Sequence, residues 1–173
     1  MLSEKLTAQI NEQMKNEFYS GYFYLAMATW LSKKKLDGFA NWFYVQVKEE
    51  RAHAMKMLDY LVTVGAEVDL LAIERPPQEF ESVMDICQKT LEHEQLVTSL
   101  IYKIMDTAQA ERDYKTIQFL KWYVDEQMEE EENAQGLIEK VKTAADVEGG
   151  LFYVDSELAG RAYHPIASDG DSK

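Results

Sequence analysis

The sequence predicts an all-α fold: a bundle of four long helices, joined as two hairpins by one long crossover and followed by a short fifth helix. Three observations predict it. Apolar residues recur at helical spacing through four stretches, about 3–32, 39–64, 83–110 and 114–144. Three prolines and eight glycines in 173 residues favour long unbroken elements. The first and second stretches, and the third and fourth, are joined by short links, whereas roughly 16 residues separate Gly65 from Ser82.

The first helix carries Leu6, Ile10, Met14, Glu17, Gly21, Tyr24, Ala28 and Leu31 along one stripe. Asp37-Gly38 supplies a turn into the second helix, whose stripe is Phe39, Phe43, Gln46, Glu50, His53, Met57, Tyr60 and Val64, and Gly65 stops it. Extended at about 3.3 Å per residue, the link that follows reaches about 50 Å. A helix of about 26 residues rising about 1.5 Å each is only about 39 Å long. The link can therefore run the full length of the bundle, and the second and third helices can be parallel. Ser82 with Asp85 three residues later resembles a capping box for the third helix, whose stripe is Val83, Cys87, Thr90, Glu94, Val97, Ile101, Ile104 and Ala108. Asp113 can cap the fourth, with Leu120, Tyr123, Gln127, Glu130, Ala134, Leu137 and Val141. Gly149-Gly150 separates a short helix over 151–159. Residues 1–160 are expected to form one domain, and the polar residues 161–173, with proline and glycine, a flexible tail.

Composition narrows the function. The opening MLSEKLTAQINEQ carries charges where a signal peptide is apolar, and the longest apolar run, 22–31, is too short to span a bilayer. A soluble, cytoplasmic protein is expected. Cys87 is the single cysteine, which rules out an internal disulfide framework and reads as core filler. A formal charge of −13 disfavours nucleic acid and anionic membranes as partners and suits a protein that handles cations.

Each long stripe has a polar interruption near its middle. With uniform rise, the helix midpoints fall near residues about 18, 52, 97 and 129. The interruptions are Glu17, Glu50 and His53, Glu94, and Gln127 and Glu130. Helices of similar length packed side by side share one mid-height whichever way they run, so these six residues should converge. One E-x-x-H in a glutamate-rich chain is a weak signal, and a single core glutamate is usually protonated or bonded to a hydroxyl. Four helices interrupted at one level point to a shared site. An ionised carboxylate in a core costs several kcal/mol unless it is compensated. None of the stripes carries lysine or arginine, and Lys48 and Arg51 are directed away from the Glu50 face. A metal ion supplies the missing positive charge. Carboxylates with one imidazole and no thiolate suit iron or manganese better than structural zinc.

The segments NEFYS around Glu17, with Tyr24 beyond it, KEERAH at 48–53, LEHEQL around Glu94, FLKWYVDEQMEEEE at 119–132 and LFYVDSEL at 151–158 resemble the ferritin family, specifically its non-haem bacterial and archaeal type, over about 3–158. The resemblance implies a ferroxidase di-iron centre in which Glu17 and His53 hold one iron, Glu50 bridges, and Glu94 with Gln127 or Glu130 holds the second. It also implies a third, weaker iron site from Glu49, Glu126, Glu129 and Glu130; Glu131 and Glu132 read as a solvated face. In relatives the residue at Tyr24 neighbours the metals and can supply an electron; core packing through a bonded hydroxyl is the alternative role. Trp122 reads as packing, while His93, off the stripe, and His164, in the tail, are not expected as ligands. Haem-containing bacterioferritins and rubrerythrin-like peroxidases resemble bundles with E-x-x-H on two helices. Here the fourth helix has Gln127 and Glu130, and Arg51 stands where a bacterioferritin-like chain carries a haem-binding methionine, so haem is not expected.

Phe18, Tyr19, Tyr22, Phe23, Tyr24 and Trp30 surround the first helix, more aromatic surface than one core stripe needs. Subunit packing follows, and the resemblance implies a homo-oligomeric shell of 24 copies. The expected function is iron storage with ferroxidase activity: ferrous iron is oxidised by dioxygen or hydrogen peroxide and kept as ferric mineral. A rubrerythrin-like di-iron peroxidase and a non-catalytic helical scaffold are the alternatives.

Overall fold

The computed structural model describes residues 2–166, so the part of the expected tail beyond 166 lies outside the described residues. The helices are α1 (Glu4–Lys33), α2 (Asp37–Thr63), α3 (Val83–Ala110), α4 (Tyr114–Ala145) and α5 (Gly150–Leu158). The caps follow local chemistry. The Ser3 hydroxyl accepts from Leu6 N at 3.1 Å, Ser82 from Asp85 N at 3.0 Å, and the Asp113 carboxylate from Thr116 N at 3.1 Å. Gly65 (φ +69°) follows α2 and Gly149 (φ +71°) precedes α5, both in the left-handed region.

The first turn lies earlier than the Asp37-Gly38 dipeptide suggests. Leu36 N donates to the Leu31 carbonyl at 3.1 Å and Lys35 takes the left-handed conformation (φ 63°), so the chain reverses over 34–36. Asp37 and Gly38 are instead the first residues of α2. Gly38 serves packing: a Cβ there would lie 1.6 Å from the Asp155 carbonyl oxygen of α5. No preceding side chain caps α2, and the Asp155 carboxylate takes that role by accepting from Phe39 N at 2.9 Å. The short fifth helix therefore completes the start of the second.

Contacts fix the topology. Along α1 and α3, Ser20 meets His93 and Met27 meets Thr90, numbers that run in opposite senses. Along α2 and α4, Gln46 meets Glu130, His53 meets Tyr123 and Tyr60 meets Thr116, again antiparallel. Since α1 and α2 form a hairpin, α2 and α3 are parallel, as the long link predicts. Asn11 of α1 holds that link at both ends of its amide, donating to the Glu67 carbonyl at 2.9 Å and accepting from Asp69 N at 2.7 Å.

The apolar core is split in two. At one end Tyr24, Met27, Leu31, Phe39, Phe43, Ile86, Cys87 and Leu137 pack with Val154 and Leu158 of α5. At the other, Leu6, Ile10, Met14, Met57, Leu61, Ile101, Ile104 and Leu120 pack together. Between them lies a buried polar layer. Tyr22 (47% exposed), Phe152 (71%) and Tyr153 (73%) leave aromatic surface facing outward. No helix among the described residues is long and apolar enough to cross a membrane.

Candidate metal centre

The six interrupting residues are all buried: Glu17, Glu50, His53, Glu94, Gln127 and Glu130. All six lie in the layer between the two apolar clusters, where equal rise along four helices places them. The i,i+3 spacing of Glu50 and His53 sets His53 Nδ1 3.5 Å from a Glu50 oxygen, and α1 brings Glu17 to 3.9 Å from the same nitrogen. Ligand atoms of Glu17, Glu50 and His53 lie within 4.8 Å of one another, and so do those of His53, Glu126 and Glu130. His53 stands between the two groups, with Nε2 3.5 Å from Glu126.

Neighbours orient these ligands. Glu17 Oε1 accepts from Gln13 Nε2 at 2.8 Å, and Glu130 Oε2 from Gln46 Nε2 at 2.9 Å. Gln127 Nε2 donates to the Glu94 carboxylate at 3.1 Å, and the Tyr24 hydroxyl donates to the other oxygen of that carboxylate. Tyr123 OH donates to the His53 carbonyl at 2.7 Å, and Trp122 sets its ring edge-on to the His53 imidazole at 5.4 Å. Such partners fix ligand geometry at metal sites. Gln13 and Gln46 were not among the sequence candidates. Their signal is positional, since each lies four residues before a site glutamate on the same helix face.

Electrostatics within the layer are unfavourable without a cation. Burial pushes Glu50 well above the usual carboxylate range, Glu94 up to about 7 and Glu130 up to about 8. Burial disfavours a charged His53, yet its bonds to Glu126 and Glu50 and the charges of Glu50 and Glu17 outweigh it and raise its pKa. Burial and the Glu94 charge keep Tyr24 protonated. Glu17 Oε2 is buried without any hydrogen-bond partner. A bare carboxylate oxygen facing a carboxylate and an imidazole nitrogen fits a hard cation.

Metal-free stability should depend on pH in a definite sense. The folded chain retains protons on Glu94 and Glu130 that an ordinary carboxylate releases near 4.5. Their contribution is complete below 4.5 and is lost as pH rises through about 7 and about 8. With a chelator present, the thermal midpoint is expected to fall across that window. A divalent ion displaces these protons, so its affinity should rise over the same range. Thermal scans with and without Zn²⁺ at several pH values check both slopes; a metal-free midpoint that climbs with pH would contradict them.

The residues expected at a third site are arranged unevenly. Glu126 and Glu130 meet His53, whereas Glu49 and Glu129 lie outside both groups of converging ligand atoms. Glu129 is exposed, and Glu49 is ion-paired at 2.8 Å with Arg161 from the segment after α5. His93, neutral because burial lowers it to about 4, bonds Ser20 at 2.8 Å on the far side of Tyr24.

Comparison with known proteins agrees with this architecture. The family model of the ferritin-like domain matches residues 7–144. The bacterial non-heme ferritin of Staphylococcus epidermidis is 38% identical over 164 residues, 95% of this chain and 99% of that protein. That of Campylobacter jejuni is 36% identical over 158 residues, covering 91% of this chain and 95% of the relative. Among solved structures, the open pore ferritin of the archaeon Archaeoglobus fulgidus superposes with a TM-score of 0.92 at 40% identity, over 94% of this chain and all of the other. With the match running through all four long helices, and a carboxylate and imidazole layer at their shared mid-height, the chain belongs to the ferritin family.

Proposed function

We infer that the protein is an iron-storage ferroxidase, with ferrous iron as its substrate. The observation that carries this reading is the buried Glu17, Glu50 and His53 group, whose ligand atoms lie within 4.8 Å and include an unpartnered carboxylate oxygen. Glu17 and His53 hold one iron, Glu50 bridges, and Glu94 with Gln127 or Glu130 receives the second. Two ferrous ions give up one electron each, and these with two protons reduce dioxygen to hydrogen peroxide, or peroxide to water. Carboxylates favour the ferric product because they are hard anionic ligands. Gln127, neutral and already donating to Glu94, holds the second iron weakly enough for it to leave. Tyr24, hydrogen-bonded to Glu94, is placed to lend an electron during oxidation.

Exposed aromatic residues on α1 and α5 support assembly through these surfaces into a cytoplasmic homo-oligomeric shell of 24 copies. Aerobic addition of ferrous iron to the purified assembly, followed by ferric absorbance, tests storage. Uptake is expected to continue far beyond about two or three irons per chain, the number that paired carboxylate sites alone would hold. Saturation at that number, with peroxide turnover driven by a reductant, would favour the peroxidase alternative. In the same assay Tyr24→Phe should slow the initial oxidation without lowering the final iron content. An unchanged initial rate leaves Tyr24 a packing residue.

A further inference from the structure

The residues after α5 return to α2 and are fastened there. Asn41 Nδ2 donates to the Arg161 carbonyl at 3.0 Å and also reaches the Leu158 carbonyl at 3.2 Å. The Arg161 guanidinium stacks on Trp42, 4.4 Å from the ring centroid, and Nη1 donates to the Trp42 carbonyl at 3.1 Å. Its Nη2 donates to Glu49 Oε2 at 2.8 Å. Held by a stacked ring, a carbonyl and a carboxylate, this guanidinium has a fixed position, with its side chain only 22% exposed. Glu49 is 20% exposed and lies within electrostatic reach of Glu126, Glu129 and His53.

Three carboxylates beside one another need a cation, and the chain already places one there. We propose that Arg161 competes with metal for Glu49, so that a third ion binds Glu49, Glu126 and Glu129 only by displacing the strap that follows α5. Arg161 is thus a positioning residue that weakens the third site relative to the buried pair. The consequence is directional: an ion leaving the pair meets a carboxylate that is occupied until its own charge displaces the guanidinium. This inference rests on the iron-handling reading above and adds to it a competitor supplied by the chain itself.

Zn²⁺, which is not oxidised, separates binding from turnover. Calorimetric titration of the metal-free native assembly should resolve a weak site beside tighter ones. In Arg161→Ala the weak-site affinity is expected to rise about tenfold, the scale of one lost competing charge-assisted pair. Arg161→Gln, which keeps stacking area over Trp42 but no charge, should show the same gain and guards against a folding defect in the alanine variant. Glu49→Ala should abolish the weak site in both backgrounds. If Glu49→Ala abolishes it but both Arg161 variants leave its affinity within about twofold of the parent, the competition is overturned while the third-site reading stands. If Glu49→Ala leaves all Zn²⁺ sites intact, both fail. A lowered thermal midpoint in the Arg161 variants with unchanged Zn²⁺ affinity would make Arg161 a structural fastener and likewise overturn the proposal.

Discussion

Glu50→Ala combined with His53→Ala is expected to reduce the initial rate of aerobic ferrous oxidation by about a hundredfold or more, because loss of partners that merely orient ligands already costs about 10- to 100-fold at metal sites. These two side chains face Glu17 across 3.5 to 3.9 Å and belong to both groups of converging ligand atoms. Their removal leaves Glu17 and Glu94 without an imidazole or a bridge. The helical fold should survive, since the substitutions delete buried ionisable groups whose desolvation opposes folding and whose loss strands no apolar contact. Metal content after chelation and reloading, with helical content by circular dichroism, distinguishes the outcomes. An intact helical assembly that binds and oxidises no iron at the pair fits the ferroxidase. Unchanged metal content and oxidation rate would make the polar layer a structural feature of a scaffold.

The mid-height argument reached the polar layer because helical rise is uniform, so Glu17, Glu50, His53, Glu94, Gln127 and Glu130 could be levelled by counting residues. Their burial and the division of the core into two apolar clusters agree with it. Gln13 and Gln46 escaped because a glutamine carries no charge that burial makes conspicuous, although Gln46 sits on the α2 stripe. The Arg161 pairing with Glu49 was not legible at all: the partners are 112 positions apart, and the residues after α5 read only as a polar tail. The same holds for Asp155, which caps Phe39 N from 116 positions away. Local rules locate helices and their faces, but a contact made after the bundle has assembled leaves no periodic trace. Asp37-Gly38 misled for that reason. The dipeptide is a common turn signal, yet its glycine is explained by the approach of α5.

Gly38→Ala should therefore be among the most destabilising single changes outside the metal centre, costing about 3 kcal/mol or more. The added Cβ would lie 1.6 Å from the Asp155 carbonyl oxygen and 2.5 Å from its carbon. Both are backbone atoms, so no rotamer change relieves the overlap and α5 must shift as a unit. That shift removes the carboxylate from Phe39 N and strains the hold of Asn41 on the carbonyls of Leu158 and Arg161. A loss of that size corresponds to roughly 6 to 12 °C in the thermal midpoint of a chain this long. Asp155→Ala isolates the cap and should cost only about 1 kcal/mol, because α5 stays docked. A Gly38→Ala midpoint no lower than that of Asp155→Ala would mean that α5 does not pack against α2 at this point. The two variants also bear on metal binding. Arg161 is carried by the strap that leaves α5, so Gly38→Ala should loosen its grip on Glu49 and strengthen the weak Zn²⁺ site, whereas Asp155→Ala should leave that site unchanged.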